Sequence, residues 1–554
     1  MSRNVNSFFS ETPATVDIGR SKFIRNQSIK TSYNCGDLVP FYIDEVLPGD
    51  SMSIDTSKVV RLSTPLTPIM DNIWQDTYFF FVPNRLVWKH WKEFMGENTQ
   101  SAWIPQVSYS VPQLTAPSGG WDAGTIADYF GIPTKVAGLS VNAIPFRAYA
   151  LICNEWFRDE NLTDPLYFSD DDATVAGSNG GNYRSDVAKG GKPFKVAKFH
   201  DFYTSCLPSP QKGPDVPLPI GNVAPVFPFT EEGNVRATHG ELTSPRWRLR
   251  ENYNIIPEGY HSLNAGASTT GSWTNLGNGT GTQETQAVYP SNLWADLTLA
   301  TGTSINQLRQ AFQVQKLYEK DARGGSRYTE ILRSHFGVVS PDSRLQRPEY
   351  LGGSRIPINI HQVLQQSAST QQSPLGDTGA YSLTIDSHSE FTKSFTEHGF
   401  VIGLTCVRYD HTYQQGIERM WSRTLREHYY FPVFANLGEQ AVKNREIYAQ
   451  GTAVDDEVFG YQEAWAEYRY KPNRVSGMMR SNYAQSLDIW HLADEYSKLP
   501  SLSDEWIRED PANIDRVLAV TSTDAHQFIA DIYVSNKTVR AMPLYSIPGL
   551  IDHH

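Results

Sequence analysis

The stretch "NIWQDTYFFFVPNRLVWKHWKEFMGE", residues 72–97, packs eight aromatic side chains into a short piece of a chain whose mean hydropathy is only −0.43. From Asp76 to Val82 the two alternating sets are Tyr78, Phe80, Val82 and Thr77, Phe79, Phe81. Successive side chains of a strand point to opposite faces, so this β-prone run is apolar on both and must be covered on both. Pro83 cannot continue a ladder, and Asn84 is a good helix N-cap. The spacing of Leu86, Trp88, Trp91, Phe94 and Met95 then predicts a helix that Gly96 ends. Aromatic residues are ordinary core material in most proteins. Their excess here points to burial against something large, a second layer or a neighbouring subunit, with Phe79, Phe81, Trp88, Trp91 and Phe94 as packing residues.

No stretch rich in Pro, Ser or like charge divides the 554 residues, so one elaborated β domain is expected. With 40% hydrophobic and 19% charged residues the chain is foldable throughout, and 40 Gly with 33 Pro make it rich in loops. Cys35, Cys153, Cys206 and Cys406 lie far apart without CxxC spacing, which indicates reduced thiols rather than a disulfide framework or a zinc site. The start "MSRNVNSFFS" carries no apolar leader, and the longest apolar run, "FVIGLTCV" at 400–407, is too short to cross a bilayer. No membrane is expected as partner, and the chain belongs in the cytosol unless it leaves within a particle. A net charge of −12 argues against a dedicated nucleic-acid binder. Residues 1–30 differ: Arg3, Arg20, Lys22, Arg25 and Lys30 face only Glu11 and Asp17. This partly basic arm, residues 1–35, is either a solvated terminus or a contact to phosphate through Arg20, Lys22, Arg25 and Lys30.

Strand-like runs recur at 37–46, 57–64, 400–409 and 527–535, far apart in the chain. Between them, "IPFRAYALICNEWFRDE" at 144–160 reads as a helix with Pro145 in first position and Trp156 among its apolar residues. Another helix is expected from Ser304 to the break at Gly324 and Gly325. An α/β enzyme would alternate strand and helix regularly. This order suggests instead a mainly β sandwich whose loops have grown into long insertions containing helices. From Asn264 to Gln283, 17 of 20 residues are Gly, Ser, Thr, Asn or Ala and none is charged. Such a segment cannot build a core, so it is a surface excursion on which Trp273 and Leu276 are the candidate contacts for a receptor.

Signatures of catalysis are missing from the sequence. "GNGTGT" at 277–282 and "KGGKPF" at 189–194 lack the spacing of nucleotide loops, and there is no HExxH. Asp170, Asp171 and Asp172 have no EF-hand spacing and read as a solvated acidic loop. No enzyme, cofactor or metal is therefore expected. Paired carboxylates of a glycosidase are set by the fold rather than by spacing, which keeps a β-rich carbohydrate-binding or carbohydrate-cleaving phage adhesin as the alternative.

Six blocks, in order, decide between these: "IWQDTYFFFVPNRLVW" at 73–88, "PFRAYALICNEWFRDENL" at 145–162, "LPSPQKGPDVPLPIG" at 207–221, "FGVVSPDSRLQRPEYLGGSRIPINIHQVLQQS" at 336–367, "EAWAEYRYKPNRVSGMMRS" at 463–481 and "MPLYSIPGLIDHH" at 542–554. Together they resemble the major capsid protein of microviruses of the gokushovirus type, small icosahedral single-stranded DNA bacteriophages. The resemblance implies a structural protein of the virion: a single eight-stranded antiparallel jelly roll, residues 36–554, with long insertions between strands. It implies a T=1 icosahedral shell of about sixty copies with fivefold and threefold contacts, put together in the host cytoplasm. It also implies packaged circular single-stranded DNA, a small basic DNA-binding protein inside and a host cell-surface receptor, with a scaffolding protein as an optional partner. The insertion raised as a protrusion is placed at about 222–292. Sixty copies at −12 each would total on the order of −700, so such a shell cannot itself neutralise a genome.

Overall fold

The computed structural model describes residues 19–98, 108–214, 216, 305–367 and 374–545, together with the backbone of five short strands between 226 and 295. Trp273, Leu276 and the first half of the N-terminal arm lie outside the described residues. Two compact units divide the chain, Gln211–Lys320 and the remainder.

The larger unit is built on two antiparallel sheets. One contains β1 (Ser21–Ile24), β2 (Gln27–Tyr33), β4 (Ser51–Leu62), β7 (Thr384–Ser394) and β9 (Phe528–Arg540). Here β9 lies between β4 and the two N-terminal strands, and β7 flanks β4. The other contains β3 (Val39–Val46), β5 (Ile73–Pro83), β6 (Glu349–Pro357) and β8 (Gly399–Tyr409), in the order β6, β5, β8, β3. The mainly β architecture expected from the sequence is thus observed.

In β4 the alternation is regular, with Met52, Ile54, Val60 and Leu62 buried and Ser51, Ser53 and Ser57 turned outward. Strand β5 is instead buried on both faces. Phe79 and Phe81 enter the core between the sheets, beside Phe41, Phe391 and Phe395, whereas Phe80 and Val82 enter a second core on the far side of their sheet. That second core is covered by helix α1 (Ile144–Ile152), which contributes Phe146, Tyr149 and Ile152. Gly403, facing Phe79 from β8, allows this density: a Cβ there would lie 2.8 Å from the ring. Between the sheets Lys58 is fully enclosed, donating to Thr77 at 2.8 Å and Ser354 at 2.7 Å on the opposite sheet and pairing with Glu390 at 3.0 Å.

The helix expected after Asn84 is a correction. The chain makes a 3-10 turn at Asn84–Leu86 and then only a four-residue helix, Trp91–Phe94. Val87 and Trp88 are both fully buried in the second core, and the backbone N–H groups of both bond the Asn84 carbonyl. Asn84 gives no side-chain cap, whereas Gly96, at φ +103°, stops the helix as expected. Helix α1 holds Pro145 in its first turn and widens into a π turn at Cys153–Phe157. Helix α2 (Ile305–Gly324) ends at the two glycines, and α3 (Tyr328–Phe336) follows.

The smaller unit contains two antiparallel arrangements. Val226–Pro228 pairs with Leu293–Ala295, and Trp247–Glu251 pairs with both Asn254–Ile255 and Ala287–Pro290.

Candidate assembly and genome-contact surfaces

The aromatic segment after β5 is fixed by the acidic loop at 169–173. Trp88 donates its indole N–H to Asp172 at 2.6 Å, and His90 lies 2.8 Å from the same carboxylate. Arg147, on α1, donates to the Asp171 carbonyl at 2.9 Å. Of the packing residues proposed from sequence, Phe79, Phe81 and Trp88 are buried, and Trp91 and Trp156 are half-buried against the second core. The Trp156 indole donates to the Pro348 carbonyl at 3.0 Å, and the Arg347 guanidinium stacks 4.1 Å from its ring. Phe94 remains exposed in the single chain, as does Met95. Among the described residues, no group of three or more His, Cys, Asp or Glu side chains could hold a metal ion. All four cysteines are free and buried, and burial pushes the Cys406 thiol up to about 12.

The four basic residues of the N-terminal arm do not act as one group. Arg25 donates to Asp44 at 2.7 Å and to Thr538 at 2.9 Å, which ties one sheet to the other. Arg20 bonds the Gly49 carbonyl. Lys22 and Lys30 stand exposed on the outer face of the first sheet, where Lys30 reaches Asp531 at 3.5 Å. That face also carries Arg61, Lys537 and Tyr533 among many hydroxyls, some joined across strands, such as Ser57 to Ser387 at 3.0 Å.

A buried ionic cluster holds the layers together where β8 ends. Burial alone would lower the His411 pKa, but Asp494 at 3.0 Å and Glu509 at 3.2 Å raise it to about 10, so the imidazole is charged. Burial would likewise raise Asp494, yet His411 holds it well below the usual carboxylate range. Just before His411, in β8, Arg408, together with Arg355, binds Asp76 at 2.5 Å, and the two guanidiniums flank the ring of Phe199. In this cluster the side chains of His411, Asp494 and Glu509 are all buried. Its chemistry is cohesion.

Comparison with known proteins settles what such a molecule is. The chain matches the family described as "Capsid protein (F protein)" over residues 11–550. The chain belongs to that family of capsid proteins. It is 44% identical over 539 residues to "Capsid protein VP1" of Spiroplasma virus 4, covering 96% of each chain. It is 43% identical over 550 residues to "Capsid protein VP1" of Bdellovibrio phage phiMH2K, covering 99% of this chain and 98% of that one. It is 42% identical over 593 residues to that of Chlamydia phage 1, covering 98% and 97%. The resemblance to gokushovirus capsid proteins is therefore real, and a capsid protein of this family is structural rather than enzymatic.

Sequence reasoning missed one surface of this capsid protein. Residues 421–434, "WSRTLREHYYFPVF", hold five aromatic rings yet fit neither strand nor helix periodicity. In the structure Trp421, Tyr429 and Tyr430 are exposed, with a buried Trp465 behind them. An aromatic cluster without periodicity was the signal that could have found it.

Proposed function

We propose that this capsid protein assembles into a T=1 icosahedral shell of about sixty copies that encloses circular single-stranded DNA and presents host-binding loops. The observation that carries this reading is the strand order. Counting β1 and β2 as one interrupted strand, eight strands divide into two four-stranded antiparallel sheets, each combining strands from the first 83 residues with strands from beyond residue 348. An eight-stranded jelly roll of the viral capsid type has this character, with long insertions between strands. The family and the names of its relatives support the same reading.

Within such a shell, the outer face of the first sheet is the candidate inner surface, where Lys22 and Lys30 with neighbouring Lys537 and Arg61 would meet phosphate, and Arg20 lies at its margin. Arg25, already paired with Asp44, contributes cohesion instead. A chain of net charge −12 leaves bulk neutralisation to a small basic internal protein. Residues of about 222–292, with Trp273 and Leu276, are proposed as an outward protrusion near the threefold axes that meets the host receptor. Sedimentation of the purified chain tests the reading: a megadalton particle is expected, and a persistent monomer that binds polysaccharide would favour a phage adhesin.

A further inference from the structure

From Gln415 to Ala441 the chain crosses the surface of the larger unit in three 3-10 turns, and not one of these residues is buried. The exposed side chains are large and apolar: Trp421 is 72% and Val433 81% exposed, with Leu425, Tyr429, Tyr430 and Leu437 beside them. The back of the segment is nonetheless pinned. Trp465 donates its indole N–H to the Phe434 carbonyl at 2.9 Å, and the Tyr430 ring sits 5.6 Å from that of Trp465. The apolar side chains are therefore held outward on a fixed support.

Charge decides which class of partner such a surface takes. Arg419 pairs with Glu446 at 2.7 Å, Arg423 with Glu467 at 3.1 Å, Arg469 with Glu463 at 2.9 Å and Arg474 with Glu418 at 3.0 Å. Arg426 lies over the Phe431 ring at 5.3 Å; the other four guanidiniums are neutralised within the chain, and aliphatic groups lie among the rings. A strand of DNA needs a run of uncompensated positive charge beside its stacking platform, which a single guanidinium does not supply. A protein surface needs what is present here: aromatic and aliphatic anchors with Arg held in place. Trp421, Tyr429 and Tyr430 alone expose on the order of 300 Å², taking roughly 150–250 Å² for a full aromatic side chain, and Leu425, Val433 and Leu437 add to it. A standard interface buries about 800 Å² per partner, and a solitary protein rarely shows so large an apolar patch.

We infer that the surface formed by residues 415–441 is an interface with a second copy of this chain. The inference rests on the shell-forming reading above and names a surface for it. The triple variant Trp421→Ser, Val433→Ser, Leu437→Ser changes only exposed positions. The wild-type chain is expected to sediment as particles, and the variant as a small folded species with at least a tenfold lower particle yield. Circular dichroism and the melting of that species confirm the fold. In parallel, hydrogen exchange on wild-type particles and dissociated subunits is expected to show amides 420–437 protected only in particles, a readout that needs no variant. Wild-type yield from the variant, or equal exchange in both states, would overturn the interface while leaving the shell intact. Full-yield particles that lack DNA would reassign the surface to the genome, and particles that fail to adsorb would reassign it to the host. A wild-type chain that never assembles would sink the shell reading and the interface with it.

Discussion

Strands β4 and β5 are similar in length and lie in facing sheets, yet one is greasy on one side and the other on both. Strand β4 alternates buried Ile54 and Val60 with exposed Ser57, Val59 and Arg61. Strand β5 buries Phe79 and Phe81 on one face and Phe80 and Val82 on the other. The difference reports what lies outside each sheet. The sheet of β5 carries a helical and looped layer as a second core, whereas the sheet of β4 leaves its outer face open. In a capsid protein the two sheets therefore serve different neighbours, one the chain's own insertions and the other whatever occupies the space beyond.

The sharpest way to break this comparison is to truncate both faces of β5. Phe79→Ala and Phe80→Ala should each cost about 3–5 kcal/mol in denaturant unfolding of dissociated subunits. A cost below about 1 kcal/mol for Phe80→Ala alone would demote the outer layer from core to loose covering.

The next test concerns how the segments that follow β8 are held. His411 follows β8 by two residues and is clasped by Asp494 and Glu509 from later segments. Its folded pKa of about 10 lies above the ordinary 6.5, so its stabilisation is fully present below 6.5 and is lost as the pH rises through 10. Asp494 is shifted the other way, so its contribution holds above its ordinary value of 3.8 and fades in acid. His411→Gln should lower stability by about 3 kcal/mol near pH 6, and the gap to wild type should narrow towards pH 10. Melting curves at both pH values check this, and a gap independent of pH would remove the charge from the account.

The smallest effect belongs to the open face. Val59→Ser replaces an exposed residue between Ile385 and Asp531 and should change stability by no more than about 0.5 kcal/mol. A larger loss in subunits would mean that this face is covered after all.

The same contrast explains what could be read in the sequence. Strand β5 was legible because "YFFFV" allows no solvated side, and β8, "GFVIGLTCVRY", for the same reason. Strands β2, β6 and β7 were not. "TIDSHSEFTKS" places Glu390 at an interior position, acceptable only because Lys58, from a strand over 300 residues earlier, meets it. "EYLGGSRIP" looks like a turn, yet Gly352 is needed where a Cβ would lie 2.2 Å from the Glu390 carbonyl oxygen. Local pattern does not carry information that the partner strand supplies. Of the candidate contacts, the aromatic core residues follow from composition, whereas the separate duties of Arg25 and Lys30 depend on which face of the strand pair each one occupies.

The position of β9 has a consequence for how the molecule is made. This strand, the last long one to be synthesised, lies between β4 and the two N-terminal strands, and pairs Gln27 with Val534 and Leu62 with Phe528. Until the ribosome has passed residue 540, the first sheet lacks its middle and β2 has no neighbour on which to form. Contacts this distant along the chain make closure slow relative to local structure. A nascent capsid protein thus carries unpaired strand edges for almost the whole of its translation, a period in which it is open to aggregation and in which premature termination leaves a first sheet without its middle strand.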